Sequence, residues 1–304
     1  MKVSLNEMIK SITAQKSFSI KSKLVDYNQL LKMRLTFTVV LSAVLGYLIA
    51  FQNGFDLFSV LALTFGGFFV VGSANGINQI IEKDFDSKML RTNDRPLATD
   101  RMTVLEAAIF CTITGFIGVA ILGTYLNPLS AILGFASLVS YAFIYTPLKR
   151  YSSFAVFVGA FPGAIPPLLG WVAARGTIDM GGITLFALQF IWQFPHFWAI
   201  AWVLDEDYKR AGYYLLPSKE GRNKKSAILT VIYTLALIPI SVVPYIIGIC
   251  GLTSALIAVV GGILLAFQAV RLYKSCDTKD AKKLMFYSIV YNPVILLAFF
   301  IDKI

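Results

Sequence analysis

Long apolar runs alternate along the chain with short charged islands. Nine runs of roughly 18 to 25 residues, the length that crosses a bilayer, lie at about 35–52, 57–81, 103–125, 128–148, 153–174, 183–204, 227–249, 252–271 and 285–301. The pattern predicts an all-α, polytopic membrane protein whose nine transmembrane helices bundle around a central cavity. The fifth run is unlike the rest: Phe161-Pro-Gly-Ala-Ile-Pro-Pro167 places three prolines within six residues. Proline removes an intrahelical donor and crowds the preceding turn, which predicts a break or bend. Broken backbone at membrane depth is tolerated only inside protein or beside a cavity, so this span is expected to line the chamber. Ahead of the first run, residues 20–34 read as a short amphipathic helix lying on the membrane surface. Residues 1–19 read equally well as a disordered tail.

Composition sharpens this picture. With 304 residues, 57% of them hydrophobic and 14% charged, and a mean hydropathy of +0.71, a soluble domain is excluded. The net charge of +10 would suit a nucleic-acid partner if it were spread over one basic surface. Instead, 25 of the 27 Lys and Arg residues fall on one face of a nine-span topology, leaving Arg175 and Lys303 on the other. This is the positive-inside pattern. It predicts a cell-membrane protein with a cytoplasmic N-terminus, an outer C-terminus and no nucleic-acid partner. Residues 1–34 form a cytoplasmic segment and 35–304 a single transmembrane domain. The first 34 residues lack the apolar core of a secretory signal. Three isolated cysteines, Cys111, Cys250 and Cys276, give neither a disulfide framework nor a zinc site.

The chemistry concentrates where the second run meets water. Asn78, Glu82 and Asp86 fall at i, i+4 and i+8, so a continuing helix points all three the same way, with Asn75 one turn earlier. Asp84 points elsewhere on a regular helix. Oxygen-only donors grouped this way suit Mg²⁺ bound together with substrate phosphates, and Arg91 and Arg95 just beyond can grip the same phosphates. A solvated loop is the plainer account of any single acid here. The island after the sixth run, Asp205-Glu206-Asp207-Tyr208-Lys209-Arg210, lies on the same membrane face. Asp205 and Asp207 would oppose the first cluster and share metal ions that neutralise a diphosphate leaving group. Tyr145, Lys149 and Arg150 close the fourth run on that face, as phosphate contacts or as membrane anchors. The lone His196, in a segment with Trp192, Pro195 and Trp198, sits inside the sixth run. An intramembrane histidine is a functional candidate, for haem iron, a propionate or proton transfer; a backbone bond near Pro195 is the alternative.

These segments together resemble the UbiA superfamily of intramembrane prenyltransferases, and within it the haem-modifying branch. The superfamily pattern N-D-x-x-D-x-x-x-D aligns with Asn78, Gln79, Glu82 and Asp86. The branch pattern N-x-x-N-x-x-x-E-x-D-x-D-x-x-M-x-R-T-x-x-R-P is similar to Asn75, Asn78, Glu82, Asp84, Asp86, Met89, Arg91, Thr92, Arg95 and Pro96. Tyr145-Thr-Pro-Leu-Lys149-Arg150, Gly163-Ala-Ile-Pro-Pro167, Pro195-His-Phe-Trp198 and Asp207-Tyr-Lys-Arg-Ala-Gly212 extend the likeness over roughly residues 30 to 300. The resemblance implies farnesyl transfer from farnesyl diphosphate to a vinyl group of haem B, a substrate here and not a cofactor, giving haem O and diphosphate. It implies catalytic roles for Asn78, Glu82, Asp86, Arg91, Arg95 and Lys149. Mg²⁺ ligation would fall to Asn78, Glu82, Asp86, Asp205 and Asp207. Substrate contacts would come from Asn75, Asp84, Tyr145, Arg150, His196, Trp198 and Lys209. A haem A synthase or the oxidase assembly machinery is the expected protein partner. The rival readings are a prenyltransferase of an aromatic or quinone precursor and a non-catalytic haem transporter or assembly factor.

Overall fold

The structure is a computed structural model that describes residues 20–304 apart from Asn53 and Lys219, so the tail over 1–19 lies outside the described residues. Among the described residues nine helices are long and apolar enough to cross a membrane. A surface helix α1 (Ile20–Leu31) precedes α2 (Met33–Ala50), α3 (Leu57–Asp86), α4 (Val104–Tyr125) and α5 (Pro128–Leu148). The chain continues through α6 (Ala155–Arg175), α7 (Met180–Val203), the short α8 (Asp205–Arg210), α9 (Lys224–Ile246), α10 (Leu252–Ser275) and α11 (Thr278–Ile301). The protein is a multi-pass integral membrane protein. Large apolar side chains such as Phe37, Phe65, Phe116, Phe267 and Phe286 stand exposed around the bundle, as lipid contact requires.

Polar residues between the runs start the helices by satisfying orphan N–H groups. Asp56 accepts from Phe58 and Ser59 N–H to open α3, and Thr103 accepts from Glu106 N–H to open α4. Asn127, Asp179, Asn223 and Asp277 do the same for α5, α7, α9 and α11. Two spans run further than the hydropathy suggests. Helix α3 carries its acids inside its last turns through Asp86, and α11 begins at Thr278. The expected amphipathic segment forms as α1 and ends at Leu31.

Of the break or bend expected of the fifth span, the break does not occur. Helix α6 is continuous from Ala155 to Arg175 with Pro162, Pro166 and Pro167 inside it. A neighbour takes up one of the carbonyls that proline releases, as membrane helices allow. Pro166 has no N–H for Pro162 O, and Ser137 Oγ of α5 donates to that carbonyl at 3.3 Å. Gln193 Nε2 of α7 also donates to Ala160 O at 3.0 Å, a further polar tie between the two spans. The helix is also the bundle's most enclosed, with 72% of its central window buried against 28–56% for the others. Small residues make this possible: a Cβ at Gly170 would run into the Ala43 carbonyl of α2, so the two backbones touch.

Span α5 contains the one irregular stretch that bears on function. Its helix is α over Pro128–Val139, π over Ser140–Tyr145 and α again over Thr146–Leu148. Single π turns recur inside functional helices because they rotate the side chains beyond them. Here those side chains include Thr146 and Lys149.

Candidate active site

Helix regularity places Asn78, Glu82 and Asp86 on one buried stripe of α3, each at most 3% exposed. Their partners come from four other segments. Lys32 Nζ donates to Asn78 Oδ1 at 2.9 Å. Asn78 Nδ2 donates to Glu82 Oε2 at 2.9 Å and to Thr146 Oγ1 at 3.0 Å. Lys149 Nζ lies 2.5 Å from Glu82 Oε1, and Tyr213 OH donates to the same oxygen at 3.2 Å. Arg95 Nη1 meets Asp86 Oδ2 at 2.6 Å, while Asp86 Oδ1 is buried with no partner. Three cations therefore surround two carboxylates and an amide, out of water, where electrostatic interactions are strong.

Two of these residues escape a reading of the sequence. Lys32 sits in a basic stretch that topology alone accounts for. It occupies the left-handed region, φ 48°, where α1 turns into α2. The turn is held from several sides: Gln79 Nε2 donates to Gln29 O and Leu30 O, and Thr36 Oγ1 donates to Leu31 O. Burial first, and then the Arg95 guanidinium, push the Lys32 ammonium well below a lysine's ordinary value. Tyr213, in the turn after α8, is one of three tyrosines within seven residues, and no spacing rule singles it out. Burial and then Glu82 raise its phenol above the ordinary range.

The second acidic segment reaches the same end of the bundle. Asp207 accepts from Leu90 N–H at 2.8 Å and from Arg91 N–H at 3.2 Å, and Arg210 Nη1 lies 3.1 Å from its Oδ1. Tyr213 also stacks on Phe85 of α3, with ring centroids 5.4 Å apart. The two distant segments thus meet. They do not form a shared acidic cage: among the described residues no group of three or more His, Cys, Asp or Glu is gathered to hold a metal. Asp205 is ion-paired with Lys209 at 2.8 Å and with Arg222 at 3.6 Å.

The remaining candidates separate into near and far. Lys149 sits over the Tyr145 ring at 4.9 Å, which keeps Tyr145 beside the cluster. Arg150 donates to Ile81 O at 2.5 Å and lies over Phe85, holding α3 by its backbone. Arg91 is exposed, its guanidinium 6.0 Å from the Tyr208 ring. Asn75 bonds Thr36 of α2 at 3.1 Å, one turn deeper. Asp84 is exposed on the opposite side of α3, as the helical period requires. Lys209 spends its charge on Asp205. Trp198 packs on Phe194 and Tyr233. His196 Nδ1 lies 2.9 Å from Ser288 Oγ of α11, and its ring stacks on Trp192. None of Asp84, His196, Trp198 or Lys209 touches the acidic stripe.

Residues 39–290 match the sequence profile of the UbiA prenyltransferase family. The chain belongs to the UbiA prenyltransferase family. Its curated relatives in that family include the protoheme IX farnesyltransferase of Cytophaga hutchinsonii, 49% identical over 91% of this chain and 97% of that one. The protein of the same name from Flavobacterium psychrophilum is 44% identical over 93% and 96%. Solved structures share the UbiA fold at lower identity. A digeranylgeranylglyceryl phosphate synthase superposes with a TM-score of 0.77 at 23% identity, over 92% of this chain and 98% of its own. A UbiA homologue from Archaeoglobus fulgidus, described as bound to GPP and Mg²⁺, gives 0.70 at 14%, over 90% and 99%. In this UbiA chain the stripe Asn78–Glu82–Asp86 brings hard oxygen donors together with the cations Lys32, Lys149 and Arg95.

Proposed function

We propose that this protein is a protoheme IX farnesyltransferase, moving farnesyl from farnesyl diphosphate to a vinyl group of haem B to give haem O. The observation that carries the reading is the buried stripe of Asn78, Glu82 and Asp86 with a cation on each member. It is supported by relatives of that name at up to 49% identity over nearly the whole chain. Mg²⁺ fits the stripe chemically: all its acceptors are hard oxygens, and Asp86 Oδ1 is buried and unspoken for. Asn78, Glu82 and Asp86 would hold the ion, and when bound it neutralises charge on the departing diphosphate.

The chain's own groups supply the rest. Lys32, Lys149 and Arg95 lie against the stripe and are positioned to move onto phosphate oxygens as substrate arrives. Asn78 and Tyr213 hold the Glu82 carboxylate in place. As the C–O bond to diphosphate breaks, the electron-rich vinyl carbon bonds to the farnesyl terminus, and water then adds to the haem-side cation and gives up a proton to solvent or the departing diphosphate, leaving the hydroxyl. The apolar interior keeps water from the allylic cation until that bond has formed. The basic loops at the stripe end support a cytoplasmic position for that end, with the N-terminus on the same side and the chain in the cell membrane. Haem O leaves for a downstream haem-modifying enzyme, a haem A synthase, or for oxidase assembly.

The deciding experiment incubates membranes holding the protein with haem B and labelled farnesyl diphosphate, with and without EDTA. Label in a hydroxyethylfarnesyl haem, lost with EDTA and restored by Mg²⁺, is the expected result. Label in a quinone precursor, or haem binding without transfer, would replace this reading with one of its rivals.

A further inference from the structure

At the end of the bundle away from the acidic stripe, the chain leaves a cavity of about 450 Å³. The ends of α2 and α6, the start of α7, the turn after α9 and the segment after α11 surround it. Its volume falls in the range of ligand pockets. A second cavity of about 250 Å³ shares Phe51, Gln52 and Arg175 with the first.

Arg175 and Lys303, the two basic residues that the charge pattern leaves on this face, both line the larger cavity. Among the described residues neither meets a carboxylate. Arg175 Nη1 donates to the Gln52 side chain, and the guanidinium lies over the Trp171 ring at 5.4 Å. Lys303 Nζ donates to Phe51 O and Leu48 O, which leaves an ammonium N–H over. Asp179, the acid of the lining, accepts the N–H groups of Gly181 and Gly182 through Oδ1 and so caps α7. Burial first, and then the Arg175 charge, lower the Lys303 ammonium from a lysine's ordinary value. The site thus holds two like charges with no ion pair on either.

Donors are left over as well. Arg175 Nε and Trp171 Nε1 are buried without an acceptor, and Trp171 is only 3% exposed. Unmade bonds of that kind are costly and rare in folded proteins. Shape fixes the indole there, since a Cβ at Gly181 would collide with its ring. Met180 and Ile304 of the lining are exposed apolar side chains, as are Ile178 and Ile246 beside it in sequence. All of these groups lie where the spans end, the level at which lipid head groups meet Trp, Lys and Arg.

We infer that this cavity seats the phosphate of an anionic phospholipid between Arg175 and Lys303, against the Trp171 indole, with the acyl chains on the apolar rim. A side-chain rotation gives Arg175 Nε and Nη2 to the phosphate together, the bidentate contact that guanidinium favours. The phosphate also brings the negative charge that the two cations lack. A zwitterionic head is disfavoured because it carries its own cation toward both of them. The site touches none of the stripe residues, so it ties the segment after α11 to α2 and α6 whatever the stripe does.

The test uses the full-length protein in phosphatidylcholine nanodiscs doped with phosphatidylglycerol that carries a photoreactive diazirine beside its head group. Cross-linked peptides are mapped by mass spectrometry. Label is expected on the peptides around Ala50, Arg175 and Lys303, about tenfold above that from a phosphatidylcholine analogue, the scale of one charged hydrogen bond. Unlabelled phosphatidylglycerol displaces it, and inorganic phosphate at the same concentration does not. Arg175→Gln removes most of this label and leaves any label on the basic loops of the stripe end unchanged; Arg175→Lys recovers part of it. Equal labelling by the two lipids, or undiminished label in Arg175→Gln, overturns the inference. Displacement by inorganic phosphate overturns it in favour of a free-anion site. The wild-type comparison of the two lipids decides the point even where a variant fails to fold.

Discussion

The two ends of the bundle use charge in opposite ways. At the end bearing α1, the 87–102 loop and α8, Lys32, Arg95 and Lys149 are buried against Asn78, Asp86 and Glu82. At the other end the charges hold the backbone or one neighbouring side chain. Lys303 Nζ donates to Phe51 O at 2.8 Å and Leu48 O at 3.3 Å, closing the C-terminus of α2. Asp179 and Asp302 accept helix N–H groups, and Arg175 bonds the Gln52 side chain. A cavity of about 450 Å³ opens there, lined by Trp171, Arg175 and Lys303 among others, and includes none of the acidic stripe. What sets the stripe end apart as the candidate site is buried charge that faces other side chains, since capping charges are already committed to the fold.

Substitutions at each end sharpen this contrast. Glu82→Gln removes the carboxylate and strands Lys149; haem O formation should fall by about 10²–10³-fold, the scale of losing one preorganised electrostatic contact. Pigments extracted from complemented cells would report it. Lys303→Met should act on stability instead, lowering it by about 1–2 kcal/mol as two helix-end carbonyls lose their donor. A lower melting temperature in detergent with normal turnover at low temperature is the expected signature; lost turnover there would erase the distinction between the ends. Tyr213→Phe withdraws one hydrogen bond from Glu82 and should cost about 1 kcal/mol, a several-fold drop in kcat/KM. Asp84→Asn, on the exposed side of α3, should change kcat/KM less than about twofold because a solvated charge contributes little. A large loss in that variant would mean that Asp84 meets substrate directly.

Much of this architecture is written in the hydropathy. The nine spans, the surface helix and the shared face of Asn78, Glu82 and Asp86 all follow from periods of 3.6 residues and from bilayer thickness. So does the exposed position of Asp84. The rest depends on contacts between distant segments. The prolines of α6 predict a break or bend because the donor that meets Pro162 O, Ser137 on α5, is tertiary. Lys32 reads as topogenic because positive-inside residues and phosphate-binding residues have the same composition. The N–H groups of Leu90 and Arg91 that Asp207 accepts are also out of reach of the sequence, which shows that a carboxylate is present and not which donors meet it. His196 and Trp198 stand out by rarity, and both pack between helices, against Ser288 and Tyr233.

The π stretch over Ser140–Tyr145 has one more consequence. Every residue added to or removed from a helix swings the downstream side chains by about 100° around its axis. The spacing between Ser140 and Lys149 is therefore constrained by length and only weakly by side-chain identity. Homologues should vary freely in which apolar residues fill that stretch while keeping its residue count, since a one-residue gap would turn Lys149 away from Glu82 and leave both charges stranded in the bundle.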